Sequence, residues 1–228
     1  MKSRTYSQRW LAGLFLIVAS LVVQRSGFAA PTNVFFTQFE PGEGYSTTVD
    51  LVGQNSWTSQ GTGGNGVVTN FIVGQGQQAY IGFSPPDPGD EILFVWRPIN
   101  FKPITAGLPL VRFSVLMSIQ DSENNNYDYF RWSVYNEQAS RLFSIEFDNY
   151  FTNVNYELDG NNQVVTNVAS FTPNSNYVLT VTMNFASNRW SATLDSALIA
   201  TNRPLTTTGL PLTLGDIDAV WWLFDTNA

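Results

Sequence analysis

The sequence contains neither cysteine nor histidine. Without histidine, the chain has no Ser-His-Asp or Cys-His catalytic centre, no histidine-ligated zinc and no histidine pH switch. Without cysteine it forms no disulfides, so its stability has to come from a hydrophobic core. An exported protein of this composition fits bacterial export better than a eukaryotic secretory domain.

Basic residues are also scarce. The chain has 11 Lys and Arg against 18 Asp and Glu, a formal net charge of −7. Four of the basic residues precede Ala30, so the rest of the chain carries 7 basic and 18 acidic residues, a net charge of −11. Such a surface argues against nucleic acid and anionic membranes as partners, because both are polyanions. It places no such limit on a neutral polysaccharide.

The N-terminus has the pattern of a secretory signal peptide. Lys2, Arg4 and Arg9 precede an uncharged run at residues 10–23. That run has the length of a signal h-region and is shorter than the ~20 residues of a membrane span. Small residues at Gly27 and Ala29 then provide a cleavage site.

We therefore predict a signal peptide at residues 1–29 and a single domain at residues 30–228. The predicted location is secreted, periplasmic or at the cell surface, with no stable membrane span after cleavage. The alternative is a retained N-terminal anchor.

Hydrophobic residues after Ala29 alternate with polar ones, and Gly, Pro, Asn, Asp and Ser separate the runs. Period-two alternation is typical of strands, and many short strands predict an all-β, two-sheet antiparallel β-sandwich of the jelly-roll type. The clearest strands are Val111–Ile119 and Tyr177–Phe185. Asp159-Gly160 predicts a tight turn between Asn153–Leu158 and Gln163–Val168.

One hairpin allows its register to be predicted. Phe130, Trp132 and Val134 alternate with polar residues, and so do Phe143, Ile145 and Phe147. Placing all six on one core-facing side sets four pairs on the other side: Arg131 with Glu146, Tyr129 with Asp148, Ser133 with Ser144, and Tyr127 with Tyr150. The opposite charges of Arg131 and Glu146 support this register. A slip by one residue would bury both charges.

The segment from Phe39 to Trp57, FEPGEGYSTTVDLVGQNSW, carries a family resemblance. It resembles the start of secreted bacterial domains with the concanavalin A-like (laminin-G-like) jelly-roll fold, which often begin FE…GY…L.GQ.GW. The segment NYVLTVTMNFASNRWSATLDSALIA resembles later strands of the same group. The resemblance implies the fold; because this fold hosts lectins, glycosidases, lyases and adhesion modules, it does not imply one function.

Two features of that group are missing from the sequence. Its members commonly continue with a last strand after the segment matched by Trp221–Asp225, and some carry a PEP-CTERM sorting tail. This sequence ends at Ala228 with neither. On this resemblance the domain is expected to lack its last strand.

The polar side of the predicted hairpin is the candidate ligand site. Aromatic rings stack on sugar faces, while carboxylates and arginine form charge-assisted hydrogen bonds to hydroxyls. The alternative interpretation is a solvated strand face in which tyrosine only favours β structure. The candidate residues are Tyr127, Tyr129, Arg131, Glu146, Asp148 and Tyr150.

The loop at residues 121–126, DSENNN, supplies oxygen ligands of the kind that calcium prefers. Asp121, Glu123 and Asn125 are the candidate ligands, although the loop lacks the spacing of an EF-hand and reads equally as a polar hairpin loop. Calcium is the one cofactor that the sequence suggests, and no other cofactor is expected.

Three functions fit this sequence. The first is an exported, non-catalytic recognition or adhesion module that binds a glycan. The second is a structural cell-surface or matrix protein without a small ligand. The third is a degenerate glycoside hydrolase, since Glu146-Phe147-Asp148 resembles part of the Glu-x-Asp-x-(x)-Glu strand of laminarinase-type enzymes. Tyr150 and Phe151 stand at the positions of the second glutamate, and two-carboxylate hydrolysis needs both an acid and a nucleophile or base.

The signal peptide gives the first testable prediction. Exported protein should begin at Ala30, or within a residue or two of it, when its N-terminus is sequenced. Recovery of the intact chain from Met1 in a membrane fraction would show that the N-terminal segment is a retained anchor instead.

Overall fold

The structure is a computed structural model that describes residues 32–84, 86–87, 89–121, 128–160 and 163–223. These residues form a short 3-10 helix at Pro41–Glu43 and thirteen strands. The strands are β1 (Thr58–Gln60), β2 (Asn65–Thr69), β3 (Gln77–Ile81), β4 (Ile92–Trp96), β5 (Leu110–Ser118), β6 (Asp128–Tyr135), β7 (Arg141–Asp148), β8 (Asn153–Leu158), β9 (Val164–Ser170), β10 (Asn176–Asn184), β11 (Arg189–Leu194), β12 (Ala197–Pro204) and β13 (Asp216–Leu223). The described ranges contain no helix long and apolar enough to cross a membrane.

The strands build an antiparallel β-sandwich, which confirms the predicted fold class. One sheet has seven strands in the order β1-β4-β13-β6-β7-β8-β9, and a second has four in the order β12-β11-β10-β5. A separate two-stranded sheet pairs β2 with β3. Strands adjacent in a sheet are often distant in sequence, as with β4, β13 and β6, and this gives the jelly-roll topology.

The predicted strands and turns agree closely with the structure. Val111–Ile119 and Tyr177–Phe185 correspond to β5 and β10, each displaced by one residue. The strands flanking Asp159-Gly160 are β8 and β9, which pair antiparallel as expected. In β10 and β11 the predicted inward residues are the buried ones, including Leu179, Met183 and Trp190.

The predicted register of the β6–β7 hairpin is confirmed in full over the described residues. Phe130 lies opposite Phe147, Arg131 opposite Glu146, Trp132 opposite Ile145 and Ser133 opposite Ser144. The apolar members of these pairs pack into the main core. The predicted pair Tyr127–Tyr150 involves Tyr127, which lies outside the described residues.

The main core fills the space between the two larger sheets. At its centre Trp190 stacks on Phe143 with ring centroids 4.1 Å apart, and Tyr156 meets the same indole edge-on. The Trp190 Nε1–H donates to the Pro204 carbonyl at 3.0 Å, so the polar atom of this buried ring is satisfied. Trp132 is less deeply placed, because it is only partly buried at the margin of this core.

A smaller core lies under the segment that carries the family resemblance. Tyr45 and Leu51 are buried against Leu93 and Val95 of β4, and the Trp57 indole N–H donates to the Tyr45 hydroxyl at 2.9 Å. The Gln54 carboxamide fixes the loop between them. It accepts from the Ser46 backbone N–H and donates to three backbone carbonyls. The motif residues are therefore structural.

The main core gives a prediction about stability. Trp190→Ala should lower the free energy of unfolding by about 3–5 kcal/mol, the range for deleting a large side chain from a closed core. Trp132→Ala should cost at least about 1 kcal/mol less, because part of that ring is already exposed. Urea unfolding followed by far-UV circular dichroism measures both. Equal costs for the two variants would contradict this assignment of the core.

Candidate functional site

The candidate site is the face of the seven-stranded sheet that points away from the main core. Because side chains alternate along each strand, the residues between the core positions share this face. We call it the polar face. It consists of Tyr129, Arg131, Ser133 and Tyr135 of β6, Ser144, Glu146 and Asp148 of β7, Asn153, Asn155 and Glu157 of β8, and Asp216, Asp218, Val220 and Trp222 of β13.

Four of the six predicted ligand residues lie on this face. Tyr129 and Arg131 stand on β6 opposite Asp148 and Glu146 of β7. Tyr150 lies in the turn after β7, 55% exposed, where its ring meets Phe151 edge-on. Tyr127 is outside the described residues.

The face around Arg131 and Glu146 is less solvated than the alternative interpretation expected. Arg131 and Glu146 are directly opposite but both are partly buried. Burial lowers the pKa of Arg131, and nearby Arg141 lowers it further. Burial likewise raises the pKa of Glu146, against the effect of a hydrogen bond from Asn155 Nδ2 at 3.3 Å and the charge of Arg131. Burial is the largest effect on Glu146, so its pKa is raised even though Arg131 lies opposite it.

Asp148 has a structural role at the end of β7. It is 4% exposed, and its Oδ1 accepts from the backbone N–H groups of Tyr150 and Phe151 at 3.0 Å each. Tyr129 is also hydrogen-bonded to it. Burial, together with the charges of Asp148 and Glu146, raises the pKa of Tyr129 to about 12, so this phenol stays protonated and remains a donor.

The centre of the polar face is closely packed. Ser133 and Ser144 are fully buried, and their hydroxyl oxygens are 2.8 Å apart across the β6–β7 pair. Larger side chains flank them on the same face, with Arg131 and Tyr135 on either side of Ser133. One hydroxyl donates to the other, so each of these two buried oxygens has a hydrogen-bond partner.

An aspartate pair on β13 joins the face, and sequence reasoning gave it no role there. Asp216 lies opposite Tyr135 and Asp218 opposite Ser133, and the two carboxyl groups hydrogen-bond each other. Burial is the main cause that raises the pKa of Asp218, to about 8, and the charge of Asp216 adds to it. Two carboxyl groups in this contact share a proton, because ionising both of them in a buried site has a high free-energy cost.

A second charged pair borders the face. Arg141 and Glu157 form a salt bridge of 2.5 Å between β7 and β8. At the opposite end, the rings of Tyr129 and Trp222 lie with centroids 6.1 Å apart. The face thus offers arginine and amide donors, carboxylate acceptors and an aromatic pair within one sheet.

The candidate calcium loop is only partly described. Asp121 is exposed after β5, and its backbone N–H donates to Asn174 Oδ1 at 3.2 Å. Glu123 and Asn125 lie outside the described residues, so the calcium site remains a prediction. Among the residues that the structure covers, no group of three acidic side chains is placed to hold a metal ion.

The sequence reveals only part of how the β13 residues join the polar face. The alternation of Asp216, Asp218, Val220 and Trp222 is visible, and it marks one side of a strand. Its place next to β6 is not visible, because the pairing joins segments about 80 residues or more apart and no local signal specifies it.

The aspartate pair predicts an unusual dependence of stability on pH. The raised pKa of Asp218 means that the folded state keeps a proton which the unfolded chain releases above about pH 4. This contribution is complete below the unfolded pKa and is lost as the pH rises towards 8, with a slope of at most about 1.4 kcal/mol per pH unit.

Asp218→Asn keeps the shape and the hydrogen-bonding capacity but cannot titrate. Urea unfolding at pH 5, 6, 7 and 8 should show that the variant loses this decline and is the more stable protein at pH 8. An unchanged slope in the variant would show that Asp218 is ionised in the folded state.

Comparison with known proteins supports the fold and goes no further. No protein-family model and no curated protein matches the sequence. Among solved structures, the lectin UEA-II complexed with galactose matches at 13% identity and a TM-score of 0.54, covering 80% of this chain and 90% of the lectin. A sialidase matches at 11% identity and a TM-score of 0.50 over 72% of this chain. A carbohydrate-binding module, CBM66 from Bacillus subtilis, matches at 13% identity and a TM-score of 0.41, over 73% of this chain and 91% of the module.

The chain spans only 13% of the length of that sialidase. At 11% and 13% identity such matches show a shared fold and not a shared activity. The protein therefore has the jelly-roll sandwich of the lectin, and its ligand has to be argued from its own residues.

Proposed function

We propose that this protein is an exported, non-catalytic module that binds a glycan on its polar face. The observation that carries the proposal is the composition of that face. Partly buried Arg131 and Glu146 stand beside the Tyr129–Trp222 pair on one side and the aspartate pair on the other. Sugars present apolar ring faces next to hydroxyls that both donate and accept, and this face offers a counterpart to each.

The partial burial of the polar groups on this face also supports glycan binding. Charged and polar groups held in a low-dielectric setting make stronger hydrogen bonds than they do in water. They are also fixed before the ligand arrives, so less conformational entropy is lost on binding. Glu146 is held by Asn155, whose Oδ1 in turn accepts from the Asn167 backbone N–H at 2.8 Å.

The carboxylates favour binding over hydrolysis because most of them already have structural partners. Asp148 caps the turn after β7, Glu157 is paired with Arg141, and Asp216 is bonded to Asp218. A glycosidase needs one carboxyl as acid and another as nucleophile or base, about 5–9.5 Å apart across the scissile bond. The two carboxylates nearest to Glu146 along the face, those of Asp148 and Glu157, are both engaged in these structural contacts.

The experiment is a glycan array probed with the exported protein in calcium and again in chelator, followed by calorimetry on each ligand found. Arg131→Gln should lower the affinity at least tenfold, because it removes a charge-assisted donor. Arg112→Gln is the matched control, since this exposed arginine lies on β5 in the other sheet, and its affinity should stay within twofold.

Several outcomes would contradict the proposal. Binding that is equal in the two arginine variants would move the site away from the polar face. Release of shorter sugars from the bound glycan, abolished in Glu146→Gln, would show that the protein is a hydrolase. Loss of binding in chelator alone would assign the ligand to the calcium loop.

A further inference from the structure

The aspartate pair on β13 keeps one acceptor that no neighbouring group uses. Asp218 is only 6% exposed, and its Oδ1 atom has no hydrogen-bond partner among the residues that the structure describes. A buried polar atom without a partner is unfavourable, and in folded proteins it is rare enough to need an explanation. Asp216 is hydrogen-bonded to Asp218 and is only partly buried. A group that approaches over Asp216 can therefore reach the unused acceptor.

Neither aspartate has a cation of the protein as its partner. No salt bridge within the described ranges involves Asp216 or Asp218. The positive charge of Arg131 acts on Asp218, but Arg131 stands opposite Val220, two residues further along β13. The pair is thus held near neutrality by the proton that its two carboxyl groups share.

Trp96 of β4 borders the pair on one side. The register of β4 against β13 is fixed by the pair Val95–Ala219 and by the Ile99–Gly215 backbone hydrogen bond of 2.8 Å. Between these two points the same register places Trp96 beside Asp218. Val95 is buried in the smaller core, so alternation along the strand turns Trp96 to the side of the polar face.

Tyr135 of β6 borders the pair on the other side. It lies directly opposite Asp216 and is partly buried. Burial is the main cause that raises the pKa of its phenol, and the charge of Asp218 raises it further, so the hydroxyl stays protonated. The two aspartates are therefore flanked by an indole and a phenol, and the faces of such rings attract cations.

The charge of the surroundings selects the sign of the ligand. The polar face and its border carry five carboxyl groups and two arginines, so their sum stays negative while the aspartate pair holds one proton; these are Glu146, Asp148, Glu157, Asp216 and Asp218 with Arg131 and Arg141. An acidic group would be repelled there, and a cationic one attracted. Calcium takes about six to eight oxygen ligands, which two aspartates between aromatic rings do not supply.

We propose that the aspartate pair is a subsite for a protonated amino group, which makes an amino sugar the ligand class of the polar face. The inference rests on the proposed glycan site and specifies what that site binds. An ammonium group has three N–H donors, enough for Asp218 Oδ1, for the Asp216 carboxylate and for one hydroxyl or water. Trp96 and Tyr135 add cation–π attraction from the two neighbouring strands.

Binding of the amine is coupled to the release of the shared proton. The charged groups that act on Asp218 are Asp216 on the same strand and Arg131 on β6, while β4 places the uncharged Trp96 beside it. The ammonium group supplies the positive charge that the proton supplied, so the proton leaves to solvent as the amine enters. The affinity should therefore rise about tenfold between pH 5.5 and pH 6.5, where a sugar amine, like an α-amino group, is still mostly protonated.

The experiment compares two short probes by calorimetry on the exported protein at pH 6.5. One is a trimer of β-linked glucosamine, and the other is its fully N-acetylated counterpart, which has the same sugar backbone without the charge. The amine trimer should bind at least tenfold more tightly. Titrations in buffers of different ionisation enthalpy should show that it releases about one proton and that the acetylated trimer releases none.

Three variants locate the effect. Asp218→Asn keeps the shape of the pair but cannot give up a proton, so it should lower the affinity for the amine trimer at least tenfold and abolish the proton release. Its affinity for the acetylated trimer should stay within twofold. Asp50→Asn is the matched control, because it removes an exposed carboxylate next to Leu51, which packs on the other side of β4. Arg131→Gln reports separately on the glycan site and should weaken both trimers.

The two proposals fail in different ways. Equal affinities of the two trimers, or binding of the amine trimer without proton release, would overturn the amine subsite. Equal losses in Asp218→Asn and Asp50→Asn would also overturn it, because the net charge of the protein would then account for the attraction. An Arg131→Gln variant that binds both trimers as before would instead contradict the proposed glycan site, whatever the result with Asp218→Asn.

Discussion

The two faces of the seven-stranded sheet depend on one constraint, the register between β6 and β7. With Trp132 opposite Ile145, the apolar residues of the hairpin point to the core, and Arg131, Glu146 and Asp148 point to the opposite face. A slip by one residue would exchange the two sets, placing Arg131 and Glu146 among Phe147 and Trp190 at a cost of several kcal/mol per charge. The core and the proposed ligand site are consequences of the same pairing.

The polar face is not simply the solvent side of the sandwich. Its central hydroxyls are fully buried, and burial shifts the pKa of Arg131, Glu146 and Asp218 away from the charged forms. Such an arrangement costs folding free energy, which the large core under Trp190 offsets. Side chains held in this way are preorganised, which is the property that the glycan-binding proposal uses.

The sequence predicts the pairing of strands that are neighbours along the chain. It does not predict the pairing of strands that are far apart along the chain. The β6–β7 register, the β8–β9 turn and the inward residues of β10 follow from alternation and turn chemistry. The place of Asp218 beside Ser133 does not, because it depends on β13 meeting β6 across the fold.

The register can be tested directly by a disulfide in this cysteine-free chain. Ser133 and Ser144 lie opposite each other with hydroxyl oxygens 2.8 Å apart, close enough for two cysteine sulfurs to join after a small adjustment. The account predicts that Ser133→Cys/Ser144→Cys forms an intramolecular disulfide, seen by mass spectrometry as the loss of both free thiols. Free thiols in that variant, together with a disulfide in Ser133→Cys/Ile145→Cys, would show a slipped register and would contradict both the core and the polar face.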